Sequence, residues 1–100
     1  MDAGLTGKQK RYLRAQGHRI KPVVHIGKQG LGATLLGQVE ECLLAHELIK
    51  VRVLEGCPID KDACAEAIAG ATGARLAQNL GRTLLLYRPH PERPVLQLPT

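Results

Sequence analysis

The chain has 100 residues, 44% of them apolar and 23% charged, which fits one globular domain and excludes a multidomain or intrinsically disordered protein. Its net charge of +5 is uneven, because residues 1–30 carry seven Lys and Arg against one acid, whereas residues 31–74 carry seven acids against three bases. A basic first segment is typical of a protein that binds a polyanion. The apolar runs are too short for a membrane span or a secretory signal, so we expect a cytoplasmic protein.

The first predicted element is a short basic helix. Thr6 and Gln9 have the spacing of a capping box, in which two side chains cap backbone N–H groups reciprocally, and Gly17 suits the end of the helix. Few residues of this segment are apolar, and basic side chains recur on one helical face. We predict that the helix and the connection after it contact phosphates through the cations Lys8, Lys10, Arg11, Arg14 and Lys21.

The segments that follow alternate between strand and helix patterns. Alternating or β-branched runs predict strands, and apolar residues at four-residue spacing predict helices. The predicted elements are a strand at 23–26, a helix at 31–47, a strand at 49–53, a helix at 60–72 and two strands at 74–80 and 83–88. The two-residue turn Gly81-Arg82 joins the last two strands as a hairpin.

The order α-β-α-β-α-β-β predicts an α/β fold with a four-stranded mixed sheet. A strand-helix-strand unit requires a parallel pair, and the terminal hairpin adds an antiparallel pair. Residues 89–100 contain four prolines and predict an extended tail. We therefore predict a single domain over residues 1–100, with a compact core at about 4–90.

A glycine loop separates the first strand from the second helix. Glycines let a phosphate approach the main chain, and the following helix offers free N–H groups and the positive end of its dipole. The loop residues Gly27, Lys28, Gln29 and Gly30 thus predict an anion site, although turns that only need a positive φ share this spacing. The loop lacks the length and the Lys-Ser/Thr pair of a Walker nucleotide site, and the basic helix before it favours a nucleic acid.

Aromatic residues restrict how a nucleic acid could be recognised. Tyr12 and Tyr87 are the two aromatic residues of the chain. The chain therefore lacks the set of aromatic side chains on which RNA-binding proteins stack bases across the face of a sheet. We expect recognition of backbone and shape, with strong salt dependence.

Neither a catalytic centre nor a metal site can be assembled from the sequence. Cys42, Cys57 and Cys64 lack CxxC spacing and are expected to be free thiols, and the four histidines lack the spacing of zinc motifs. We therefore predict a protein that is not an enzyme and has no cofactor, metal or small-molecule substrate.

Four sequence blocks span most of the chain: LTGKQKRYLR at 5–14, PVVHIGKQGL at 22–31, HELIKV at 46–51 and GRTLLLYRP at 81–89. In order and spacing they resemble the stand-alone bacterial YhbY-type CRM domain, where CRM stands for chloroplast RNA splicing and ribosome maturation. The resemblance implies a fold similar to the C-terminal domain of bacterial translation initiation factor three. It also implies an RNA-binding GxxG loop, here residues 27–30, and association with precursors of the large ribosomal subunit.

Two residues depart from the family pattern. Gly32 stands where the family tends to have a hydroxyl residue that caps the second helix, and Asn79 replaces an apolar residue of the third strand. The resemblance therefore does not predict how rigid the glycine loop is or how the third strand is buried.

The leading prediction is a non-catalytic RNA-binding protein that binds ribosomal RNA of large-subunit precursors in ribosome assembly. The alternative is a protein interaction module, in which an acidic middle segment binds a basic partner and RNA contact is incidental. The acids of that segment are Glu40, Glu41, Glu47, Glu55, Asp60, Asp62 and Glu66.

Overall fold

A computed structural model describes residues 4–100, so residues 1–3 of the predicted domain lie outside the described residues. The elements in chain order are α1 (Gly7–Gly17), β1 (Pro22–Ile26), α2 (Ala33–His46), β2 (Leu48–Val53), α3 (Lys61–Thr72), β3 (Arg75–Leu80) and β4 (Thr83–Tyr87). The predicted order of helices and strands is confirmed, and the predicted boundaries agree within two residues.

Local capping chemistry explains where α1 begins and where α3 begins and ends. The Thr6 hydroxyl accepts the N–H of Gln9 at 3.1 Å, and the Gln9 side chain accepts the N–H of Thr6 at 3.0 Å, which completes the predicted capping box. Asp60 caps α3 through its carboxylate. Gly73 ends α3 at φ +78, a left-handed conformation that glycine adopts without steric cost.

The four strands form one mixed sheet in the order β1-β2-β4-β3. β1 and β2 are parallel, as the intervening α2 requires, and β4 runs antiparallel to both β2 and β3. This arrangement confirms the predicted α/β fold with a four-stranded mixed sheet.

The larger core lies between one face of the sheet and the pair formed by α2 and α3. Val39 and Leu43 of α2 and Ile68 of α3 are fully buried there. Successive strand residues point to opposite faces, so Val51 of β2 enters this core while its neighbours Lys50 and Arg52 face the other side of the sheet.

α1 covers part of that other face. Leu13 of α1 is buried with Leu85 and Tyr87 of β4 in a second, smaller core. A Cβ at Gly17 would lie 3.0 Å from the Cδ atoms of Leu85, so the absence of a side chain lets the end of α1 approach the sheet closely. α1 and the pair of α2 and α3 therefore lie on opposite faces.

The C-terminal segment, residues 89–100, contains no helix or strand and lies against the domain. The carboxylate of Glu47, which is 3% exposed, accepts hydrogen bonds of 2.7–3.1 Å from the backbone N–H groups of His90, Val95 and Leu96. Leu96 also packs against the smaller core. One side chain at the end of α2 thus holds the start and the middle of the C-terminal segment.

Candidate nucleic-acid interface

The predicted glycine loop is a tight turn directly after β1. The N–H of Gly30 donates to the carbonyl of Gly27 at 3.0 Å, which places Lys28 and Gln29 at the two central, exposed positions. Gly30 is buried and has φ +68, whereas φ of Gly27 is not positive. Only the second of the two glycines is therefore required by the backbone conformation.

A second loop, residues 54–58, supports this turn from the end of β2. A Cβ at Gly56 would lie 3.2 Å from Cγ of Lys28, and a Cβ at Gly30 would lie 3.3 Å from Cγ of Pro58. The aliphatic stem of Lys28 thus passes over a residue that has no side chain. Because the two loops contact each other, the turn is held in place while its charged tip remains in solvent.

Replacement of Gly30 by alanine should destabilise the protein, because an L residue in the left-handed region costs about 1–2 kcal/mol. The added methyl group would also press on Pro58. Gly27→Ala is the matched control, since its Cβ would make an ordinary 3.7 Å contact with Leu54, and we expect a change below about 0.5 kcal/mol. Urea denaturation measures both variants, and equal losses would contradict this assignment of strain.

The N-terminus of α2 lies beside the turn. Its N-cap, Gly32, has no side chain to accept hydrogen bonds, and the first turn of the helix carries no acidic residue. The backbone N–H groups of Ala33, Thr34 and Leu35 have no acceptor within residues 4–100. They border a cleft of about 480 Å³ that the glycine turn and His25 complete. Free N–H groups, the helix dipole and the ammonium group of Lys28 together favour a bound anion.

The predicted cations outside the turn lie on and after α1. Lys8, Lys10, Arg11 and Lys21 are exposed, and Arg14 is half-buried. None of these five forms an ion pair with another residue of the described chain. Because α1 and α2 pack on opposite faces, the structure does not bring these cations into the cleft of the glycine turn.

The sequence prediction missed a surface that lies between the cations of α1 and the cleft of the glycine turn, here called the open sheet face. It is the part of the α1 side of the sheet that α1 leaves uncovered, and it consists of Pro22, His25, Lys50, Arg52, Gln78, Leu80 and Thr83. Lys50 and Arg52 are its Lys and Arg residues. Their alternation with the buried Ile49 and Val51 is visible in the sequence and could have identified them.

The function of the described chain also depends on whether it has a metal site, a disulfide or reactive cysteine, or a membrane-spanning helix. Within residues 4–100 no three His, Cys, Asp or Glu side chains are grouped to hold a metal ion. The three cysteines are free thiols, and the Sγ atoms of Cys57 and Cys64 lie 3.9 Å apart. Burial, reinforced by the neighbouring Cys57 thiol, raises the pKa of Cys64 to about 12, so this thiol stays protonated at neutral pH. No helix in the same range is long and apolar enough to cross a membrane.

The acidic middle segment is largely engaged inside the domain. Glu40 is ion-paired, and Asp62 accepts a hydrogen bond of 2.6 Å from the side chain of Asn79. Glu47 binds the C-terminal segment, and Asp60 caps α3. Four of the seven acids therefore have partners within the chain, which leaves less free acidic surface than the sequence suggests.

These features define a class of small α/β domain, in which a glycine turn and an uncapped helix N-terminus meet at the carboxyl edge of a parallel strand pair. The sequence profile of the CRS1 / YhbY (CRM) domain matches residues 5–88, and the chain belongs to this family. The resemblance predicted from the four sequence blocks is thereby confirmed.

Individual relatives match nearly the whole chain. The chain is 42% identical over 95 residues to "Probable RNA-binding protein YqeI" of Bacillus subtilis, covering 95% of this chain and 99% of that protein. It is 40% identical over 95 residues to a protein of Haemophilus influenzae named "RNA-binding protein", covering 95% of each. The solution structure of SAV1595 from Staphylococcus aureus, a protein proposed to bind RNA, superposes with a TM-score of 0.79 at 42% identity, covering 95% of this chain and 99% of that one.

Proposed function

We propose that this protein binds structured ribosomal RNA without catalysis, and that it acts in the cytoplasm on precursors of the large ribosomal subunit. The glycine turn and the first turn of α2 contact one phosphate group directly through backbone N–H groups. The cations of α1 contact further phosphates of the same RNA.

The observation that carries this proposal is the uncapped N-terminus of α2 beside the exposed Lys28 on a supported turn. Free N–H groups at a helix N-terminus need an acceptor, and a phosphate supplies one together with the charge that the dipole favours. The names of the relatives support RNA as the polyanion. Tyr87 is buried and Tyr12 packs against the smaller core, which supports recognition of backbone and shape over base stacking.

Charge reversal tests the proposed contacts. Lys28→Glu combined with Arg14→Glu should lower the affinity for large-subunit ribosomal RNA transcribed in vitro by more than about tenfold, because two phosphate contacts become repulsive. Fluorescence anisotropy at fixed salt measures the affinity, and circular dichroism checks that the fold is unchanged. Unaltered affinity of the double variant would reject the site.

The tail offers a matched control for this experiment. Arg93 is exposed, and its side chain has no hydrogen bond or ion pair within residues 4–100. Arg93→Glu changes the net charge by two units, as Lys28→Glu or Arg14→Glu does alone, and we expect its affinity to stay within about twofold of the unaltered protein. A logarithmic loss of affinity in this control of half that of the double variant would mean that net charge alone governs binding.

The ribosomal part of the proposal has its own test. In gradient sedimentation of cell extracts, the protein should travel with immature large subunits. Its presence only in free fractions would reject a role in assembly while leaving RNA binding intact. The interaction module remains the alternative, and a protein partner retained after nuclease treatment would favour it.

A further inference from the structure

We infer that the open sheet face is a second RNA-backbone contact, which continues the site of the glycine turn across the sheet towards α1. This inference rests on the proposed RNA binding but adds a surface and two cations to it. The occupant is the sugar-phosphate backbone of RNA, and the cations that hold it are Lys50 and Arg52.

The strand register places these residues in two rows. Arg52 of β2 lies opposite His25 of β1 and Thr83 of β4, and Thr83 lies opposite Leu80 of β3. Residues that are paired across strands point to the same face of a sheet. This first row therefore crosses the whole sheet, one strand after another, on the side that α1 only partly covers.

The second row lies two residues closer to α1. It contains Pro22, Lys50, Leu85 and Gln78 in matching register. Leu85 is the residue against which Gly17 of α1 packs, so this row borders the helix. Rows on one face of a strand are about 7 Å apart. The open sheet face therefore spans the gap between α1 and the turn, and its two cations stand one row apart.

The charge of this surface favours a polyanion. Neither row contains an Asp or Glu, and the side chains of Lys50 and Arg52 have no hydrogen bond or ion pair within the described residues. Two neighbouring cations without an acid between them repel each other, and a phosphate backbone relieves that repulsion. Arg52 is exposed, and both cations line a shallow cleft of about 250 Å³.

The open sheet face is continuous with the cleft of the glycine turn. His25 belongs to the first row, next to Arg52, and it also lines the cleft that the turn and α2 form. Gly27 comes directly after Ile26, the last residue of β1. An RNA strand that leaves the N-terminus of α2 can thus pass His25 and reach Arg52 and then Lys50 without crossing an acidic residue of either row.

Neutral substitutions test the inference. Arg52→Gln alone, and combined with Lys50→Gln, should weaken binding of polyuridylate and of large-subunit ribosomal RNA, by about tenfold or more for the double variant. Each lost contact should also lower the slope of log affinity against log salt concentration by about 0.7 on single-stranded RNA. Arg93→Gln is the matched control and should change neither quantity. Circular dichroism and the midpoint of urea denaturation check the fold of every variant.

Lys28→Gln, measured in parallel, separates this inference from the proposed function. Loss of affinity with Lys28→Gln but not with the double variant would overturn the sheet contact and leave the turn in place. Loss with the double variant but not with Lys28→Gln would uphold the sheet contact and overturn the turn. A changed oligomeric state of the double variant with unchanged RNA affinity would assign the surface to a second copy of the chain and overturn the inference.

Discussion

Glu47→Ala is expected to lower the free energy of unfolding by about 2–4 kcal/mol, the largest effect of any substitution considered for this protein. The carboxylate is buried and accepts hydrogen bonds from three backbone N–H groups, those of His90, Val95 and Leu96. Hydrogen bonds to a charged acceptor are stronger than neutral ones, and alanine leaves the three donors without a partner. Urea denaturation measures the loss, and amide hydrogen exchange at Val95 and Leu96 should accelerate because the C-terminal segment detaches.

Glu41→Ala is the control for this substitution, because Glu41 is exposed on the same helix and has no hydrogen bond or ion pair within residues 4–100. We expect it to change stability by less than about 0.5 kcal/mol. Alanine tolerates φ +63 at position 47 no better than glutamate, so backbone strain is the same in both proteins. Unchanged exchange at Val95 and Leu96 in Glu47→Ala would contradict the anchoring role.

The pH dependence of stability gives a second readout of Glu47. Burial raises its pKa, but the N–H groups of His90, Leu96 and Val95 lower it, and the resulting pKa lies below the ordinary value of 4.5. A carboxyl whose pKa is lowered by folding stabilises the protein above its unfolded-state pKa, and this contribution disappears as the pH falls through the folded-state pKa. Stability should therefore fall below about pH 4.5, and less steeply in Glu47→Ala.

Arg88→Ala is expected to cost about 1.5–3 kcal/mol of unfolding free energy. Its guanidinium donates to both carboxylate oxygens of Glu40, at 2.7 and 2.8 Å, and to the carbonyl of Thr72 at 2.8 Å. The side chain is only 17% exposed and connects the end of β4 to α2 and to the end of α3. Alanine removes all three hydrogen bonds and leaves a half-buried carbonyl unpaired.

Two companion variants separate the contributions at Arg88. Arg88→Lys should retain part of the stability, because an ammonium group keeps the charge but cannot match the planar, forked contact with Glu40 and Thr72. Glu40→Ala should cost less than Arg88→Ala, since Glu40 is 43% exposed and solvent screens its interaction. Equal losses for Arg88→Ala and Glu40→Ala in urea denaturation would show that the Thr72 contact contributes nothing.

Elements of the fold could be predicted because their signals are local. The capping box of Thr6 and Gln9 and the alternation of β2 depend on residues within a few positions of one another. The glycine turn was predicted for the same reason, although only Gly30 proved to need its conformational freedom. The four sequence blocks together allowed the family to be predicted, which no single motif did.

The role of Asn79 could not be predicted. It stands where the family tends to have an apolar residue, but in the fold the half-buried Asn79 donates its side-chain amide N–H to Asp62 of α3, while its Oδ1 is buried without a partner within residues 4–100. In the sequence, Glu47 is likewise only one of the seven acids of the acidic middle segment. Its partners lie 43 to 49 positions further along the chain, and no local pattern indicates which distant N–H groups a side chain will meet.

The sequence by itself therefore determined the order of helices and strands, the position of the glycine turn and the membership in the CRM family, because periodicity, capping and turn chemistry act between near neighbours. Only the tertiary structure decided that α1 and α2 lie on opposite faces of the sheet, that Lys50 and Arg52 stand on the part of the α1 side that α1 leaves uncovered, and that Glu47 holds the C-terminal segment. These features depend on strand order and on packing between distant segments, which sequence spacing does not specify.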